Sequence, residues 1–232
     1  MLLSGAEVRI LSDPPAVAAA AADIVLERAR AALGERGAFR LVLAGGSTPT
    51  AAYRRLAGSD AAWSGWHIYH GDERCLPTDD PERNSRICDD AWLARVPIPR
   101  PQMHVIPAEQ GAEAAAAAYG PVVADALPFD LVLLGMGEDG HTASLFPGRT
   151  IASEPLVIPV HDSPKPPPDR VSLTPRALCA TDLVLVMITG AGKADALRRW
   201  RQGETLPIAA VVAGARSLVL VDADAATASG LA

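Results

Sequence analysis

Aromatic side chains are scarce, at 4% of the 232 residues. The core must then be filled by alanine and branched aliphatics, which an ordinary hydrophobic content of 49% allows. Cysteines are few and odd in number: Cys75, Cys88 and Cys179, with no C-x-x-C spacing. That pattern argues against a disulfide framework and against a zinc site. Cys75 falls near a candidate loop, but nothing marks it as a nucleophile. Positive charge is in deficit, with a net charge of −6. The chain therefore lacks the electrostatic footprint of a nucleic-acid binder, and an anionic ligand would need a locally positive pocket. No apolar run reaches the ~20 residues that span a bilayer. No basic region precedes the first apolar residues, and Asp13-Pro14-Pro15 interrupts them early, unlike a secretory signal. The expectation is a soluble cytoplasmic protein with no membrane or nucleic-acid partner.

The most informative stretch is Phe129 to Gly148, FDLVLLGMGEDGHTASLFPG. Leu131-Val132-Leu133-Leu134 is an apolar run of the kind buried on both faces of a parallel sheet. The chain then breaks into Gly135, Gly137 and Gly140, interleaved with Glu138, Asp139 and His141. Glycines permit a tight turn or a close approach to a ligand. A carboxylate two residues from an imidazole can hold the ring, fix its tautomer and raise its basicity. The spacing also fits G-x-G-x-x-G, with Asp162 near the distance expected of the ribose-binding acid. That motif needs a helix straight after its last glycine, and Phe146-Pro147-Gly148 leaves no room for one.

Three further junctions share the pattern of strand, polar or glycine loop, then helix. Phe39–Leu43 leads into Ala44-Gly45-Gly46-Ser47-Thr48-Pro49. Thr48 is expected to cap a helix with Pro49 in its first turn, so that free N–H groups and two hydroxyls form an anion cradle. The turn is shorter than a Walker A loop and lacks its lysine, which excludes an ATP cradle. Trp66–His70 leads into Gly71-Asp72-Glu73-Arg74, placing a planar cation at a strand end. Leu183–Ile188 leads into Thr189-Gly190-Ala191-Gly192-Lys193. A helix from Asn84 carries Arg86 in its first turn as one more candidate cation. Ser163–Pro168 reads as an exposed proline loop, and Ile208–Val212 fits a short helix or a strand.

Alternating strands and helices imply a mainly parallel sheet with right-handed crossovers, in an α/β three-layer arrangement. No linker divides the chain, so residues 1–232 are expected to form one domain. Parallel strands send their C-terminal loops to one rim, which would bring all these loops together.

The motifs LAGGSTP (Leu43–Pro49), GDER (Gly71–Arg74) and GMGEDGHTASLFP (Gly135–Pro147) resemble 6-phosphogluconolactonases, and Asn84-Ser85-Arg86 and Gly192-Lys193 agree. The resemblance covers nearly the whole chain. It implies a Rossmann-like αβα fold like that of the glucosamine-6-phosphate deaminases, and hydrolysis of 6-phospho-D-glucono-1,5-lactone without cofactor or metal. On this basis His141, Asp139 and Arg74 are the catalytic candidates. Gly45, Gly46, Ser47, Thr48, Asp72, Arg86 and Lys193 are the substrate-binding candidates, and Arg74 could serve either the oxyanion or the phosphate. A monomer or weak homodimer is expected. The rival enzyme is a deaminase or sugar-phosphate isomerase. The deaminase motif places a glutamate five residues past the histidine, where this chain has Phe146, and typically an aromatic where it has Arg74. A non-catalytic sugar-phosphate sensor is the third reading, and it lacks the expected DNA-binding segment.

Overall fold

The computed structural model describes residues 2–150 and 154–231. Its elements begin with β1 (Leu2–Leu3), β2 (Ala6–Leu11), α1 (Pro14–Arg36), β3 (Phe39–Leu43) and α2 (Ser47–Leu56). Next come β4 (Trp66–His70), β5 (Asp72–Arg74), α3 (Asn84–Ala91), β6 (Met103–His104), α4 (Ala112–Ala126) and β7 (Leu131–Gly135). The rest are β8 (Val157–Val160), β9 (Arg170–Leu173), α5 (Pro175–Cys179), β10 (Val184–Ile188), α6 (Ala194–Arg201), α7 (Pro207–Gly214), β11 (Ser217–Asp222) and α8 (Ala223–Ser229).

The large sheet runs β1-β2-β11-β10-β7-β3-β4-β6, and every pairing except β1 with β2 is parallel. Strand alternation explains its two-sided burial. In β7, Leu131 and Leu133 join one apolar cluster with the buried faces of α1, α2 and α3. Val132 and Leu134 join the other, with α4, α6, α7 and α8. In β10, Leu185 and Met187 face the first cluster and Val184, Val186 and Ile188 the second. The apolar runs thus serve two layers at once, and Leu133→Ala would cost about 2–5 kcal/mol.

Local signals set the helix ends. Asp13 caps α1, its side chain accepting the Ala16 N–H at 2.8 Å, and prolines occupy the first turn. Gly37 closes α1 in the left-handed region at φ 71°. The buried positions of α1 are Val17, Ala18, Ala21, Ala22, Val25, Ala29 and Ala32, a helical stripe of small residues that lies close to the sheet. Residues 207–214 are helical, which resolves the ambiguity at Ile208–Val212.

A second sheet was not anticipated: β5, β9 and β8 pair antiparallel in that order. It folds the segment after β7 back against the strand that carries Arg74. Among the described residues no helix is long and apolar enough to cross a membrane.

Candidate active site

Adjacent strands β10, β7, β3 and β4 end side by side, with Met187 opposite Gly135 and Leu43 opposite His70. Their loops therefore open on one rim and line a cleft of about 490 Å³. The cleft wall includes Gly45, Gly46, Ser47 and Thr48 from the first loop, Asp72 and Arg74 from β5, His141 from the glycine loop, and Lys193.

The glycine loop is built to present one imidazole. No helix follows Gly140, and residues 136–148 are irregular, with turns, a bend and an isolated Thr142–Leu145 bridge, so the dinucleotide reading has no structural support. Gly137 N–H bonds the His141 carbonyl at 2.8 Å, and Gly140 N–H bonds the Gly137 carbonyl at 3.0 Å. Gly140 takes φ 88°, with Leu206 packed where a side chain would stand. Thr142 ties the loop back to the Gly135 carbonyl at 2.9 Å. Asp139 sits behind His141, with Oδ1 2.5 Å from Nδ1 and 3.2 Å from its backbone N–H. A carboxylate only accepts, so Nδ1 carries the proton and Nε2 keeps a free lone pair. Burial lowers the His141 pKa from its ordinary value, partly offset by Asp139. Burial pushes the Asp139 carboxyl up, but His141 more than reverses that and leaves it lowered. The resting pair at neutral pH is a neutral imidazole against a carboxylate.

The anion cradle differs in detail from the expected cap. Helix α2 begins at Ser47 with Gly46 as its N-cap at φ 103°, and no side chain caps it. Thr48 bonds Thr189 instead, at 2.7 Å between hydroxyl oxygens, and so joins the first loop to the last. Thr50 N–H is bonded to the Gly46 carbonyl. The N–H groups of Ser47 and Thr48 have no acceptor within the helix and sit at its positive end.

Among the described residues, four cations line the cleft, Arg74, Lys165, Arg170 and Lys193, against a single carboxylate, Asp72. That carboxylate is largely consumed by its neighbours. Its oxygens accept from Asn84 Nδ2 at 3.1 Å and Ser144 Oγ at 2.7 Å, and burial raises its pKa. Asp72 is thus a strut across three segments as well as part of the wall. The local positive charge demanded by a protein of net charge −6 is present. Burial lowers the Lys193 ammonium from its usual range, with Glu138 opposing.

Arg170 and Lys165 were missed in the sequence. Arg170 opens β9 and is buried, and its guanidinium donates to the carbonyls of Pro167, Lys165 and Pro166 at 3.2, 3.1 and 2.8 Å. The proline loop at 163–168 is exposed at Pro164, Pro166 and Pro168, as expected, but Arg170 pins it so that Lys165 and Pro166 complete the cleft. No local sequence signal marks that return.

Arg86 is not brought to this cleft. Two residues beyond Asn84 on α3, it lies about 200° further round the helix. It pairs with Asp90 at 2.9 Å and lines a separate cleft with Arg83 and Arg100. Cys75 is half-buried, and burial pushes its thiol up to about 11, so it stays protonated at neutral pH. Among the described residues no group of three or more His, Cys, Asp or Glu converges as metal ligands would.

Known proteins resemble this chain along most of its length. A family model described as glucosamine-6-phosphate isomerases/6-phosphogluconolactonase matches residues 12–220. The chain is 38% identical to a 6-phosphogluconolactonase of Mycobacterium leprae, across 95% of this chain and 97% of that protein. It superposes with a TM-score of 0.87 on the crystal structure of 6-phosphogluconolactonase from Thermotoga maritima, at 30% identity, covering 94% of this chain and 99% of that one. A monomeric glucosamine-6-phosphate deaminase, 22% identical with a TM-score of 0.85 over 96% of this chain and 99% of that one, shares the fold. Identity at this level over nearly the full length of both chains reflects common descent: the chain belongs to the glucosamine-6-phosphate isomerase/6-phosphogluconolactonase family.

Proposed function

We propose that this protein hydrolyses 6-phospho-D-glucono-1,5-lactone to 6-phosphogluconate, a step of the oxidative pentose phosphate pathway. The observation that carries the reading is the Asp139–His141 pair at a cleft that a helix N-terminus and four cations also line. Nε2 of His141 takes a proton from water, which attacks the lactone carbonyl. The oxyanion that forms needs preorganised donors, and Arg74 stands in the same cleft to supply them. The imidazolium then returns its proton to the departing ring oxygen. General acid–base assistance of this kind contributes about 10²–10⁴-fold. The α2 N-terminus, Lys193 and Arg170 hold the 6-phosphate. Lactones are activated esters, so no covalent nucleophile is required.

Phe146 favours this reading over deamination. Its ring lies 4.9 Å from the His141 ring, and the Arg170 guanidinium carbon stands 5.8 Å from its centroid. An aromatic ring at that position can shield the imidazole but cannot exchange protons with a sugar ring. The reading carries a cytoplasmic location and a monomer or weak homodimer; three free thiols suit a reducing compartment.

The experiment is direct. Purified protein is given 6-phosphogluconolactone, and acid release is followed above the spontaneous rate; glucosamine-6-phosphate is offered in parallel and ammonia measured. Turnover of the lactone alone, lost in His141→Ala with the fold retained, is expected. Ammonia release, or an active His141→Ala enzyme, would overturn the assignment.

A further inference from the structure

Between Asp72 and Arg74, which both line the cleft, stands Glu73, which does not. Strand alternation turns it to the opposite side of β5, where it is fully buried. Among the described residues, every hydrogen bond it accepts comes from backbone. Oε1 takes the N–H of Arg74 at 2.8 Å and of Asn84 at 2.7 Å, and Oε2 takes the N–H of Ser85 at 2.8 Å. Asn84 and Ser85 open α3, whose N-cap residue Arg83 offers no side-chain cap of its own. Glu73 therefore caps that helix from another strand, with its charge at the positive helix end. The Arg83 guanidinium lies 3.5 Å away and balances it in the interior.

The consequence reaches the cleft through Asn84. Its amide nitrogen donates to both the carbonyl and the side chain of Asp72 at 3.1 Å. Its amide oxygen is buried, has no hydrogen-bond partner among the described residues, and abuts Gly45: a Cβ on Gly45 would stand 2.2 Å from it. Asn84 is thus a wedge between β5 and the anion-cradle turn. One carboxylate fixes both the backbone of Arg74 and the wedge that sets Gly45.

We propose that Glu73 is a positioning residue for the lactonase reaction, holding Arg74 and, through Asn84, the phosphate turn in register; this rests on the function proposed above. Glu73 touches no substrate, so its effect must pass through those two arms. A misplacement of about 1 Å far from the chemistry can cost about 100-fold.

The test is a double-mutant cycle of Glu73→Gln with Arg74→Ala, read as kcat and KM for the lactone, with thermal melts confirming the fold. Glutamine keeps an acceptor for Arg74 and Asn84 but turns an N–H donor toward Ser85. Expected are a drop in kcat/KM of about 10–100-fold in Glu73→Gln, and a much smaller effect of Arg74→Ala in that background than in wild type. Independent, additive losses would reduce Glu73 to a stabilising residue and overturn the proposal. If Glu73→Gln does not fold, Asn84→Ala carries the test, because it leaves the three backbone bonds to Glu73 intact. Wild-type kcat/KM in folded Asn84→Ala sinks the relay. Failure of the functional reading is separable, since it shows as a wild-type protein inert on the lactone. Binding of 6-phosphogluconate by calorimetry then decides: weakening in Glu73→Gln, whose residue does not line the cleft, supports the relay, and unchanged binding refutes it.

Discussion

The imidazole of His141 occupies the space that a side chain at residue 137 would need: a Cβ on Gly137 would lie 2.0 Å from Nδ1 and 2.7 Å from Oδ1 of Asp139. Glycine is required there for room and not for a left-handed backbone. Gly137→Ala should therefore displace the ring from its carboxylate while leaving the rest of the loop to fold. The expected outcome is a fall in kcat of about 100-fold, with KM little changed and the thermal transition lowered only slightly. Steady-state kinetics beside a melting curve checks it, and a fully active Gly137→Ala enzyme would show that the pair does not act as a unit.

The pH profile follows from the same pair. A general base works as the neutral imidazole, so kcat/KM should rise with pH through the His141 pKa of the free enzyme. Burial lowers that pKa and Asp139 opposes the lowering, so the acid limb should lie below the ordinary histidine value of about 6.5. Asp139→Asn removes the carboxylate that favours the charged ring. The limb should then move to still lower pH, while kcat falls about 10²–10⁴-fold as tautomer control is lost. A limb that moves upward would contradict this assignment of roles.

Much of this site is legible in the sequence because it depends on local rules. Apolar runs ending in glycine mark β3, β7 and β10, and parallel pairing then forces their loops onto one rim. Asp139 and His141 are two residues apart, so their pairing needs no tertiary information. Arg170 is different. It reaches the cleft through an antiparallel sheet that pairs β9 with β5 across nearly a hundred residues, and a proline-rich stretch before it looks like any exposed loop. Thr48 was misread for a smaller reason: the helix is capped two residues earlier, at Gly46, which leaves the Thr48 hydroxyl to bond Thr189. Arg86 was legible in principle, since helical geometry alone turns it away from Asn84.

Arg170 should separate binding from chemistry. It supplies charge to the cleft and pins Lys165 through three backbone carbonyls. Arg170→Ala removes both, and KM for the lactone should rise about 10–100-fold, the worth of a charge-assisted contact of about 1.5–3 kcal/mol. Arg170→Lys keeps the charge but not the planar fork, so it should restore only part of the affinity. Titrating 6-phosphogluconate into each variant provides the measurement, and equal affinity in all three would exclude Arg170 from the anion site.

Arg86 supplies the contrasting case. Its guanidinium is held by Asp90 one helical turn away, both side chains are about half exposed, and the cleft it lines is not the one that holds His141. An exposed pair at this spacing is worth about 0.3–0.5 kcal/mol. Arg86→Ala should therefore leave kcat and KM within about twofold of wild type, since 0.5 kcal/mol is little more than a factor of two, and shift the melting temperature barely at all. Arg74→Ala, measured in the same assay, should lose most of the activity, because Arg74 lines the same cleft as the imidazole. A large rise in KM for Arg86→Ala would mean that substrate reaches across α3 into the second cleft, and the phosphate would then have to be placed there.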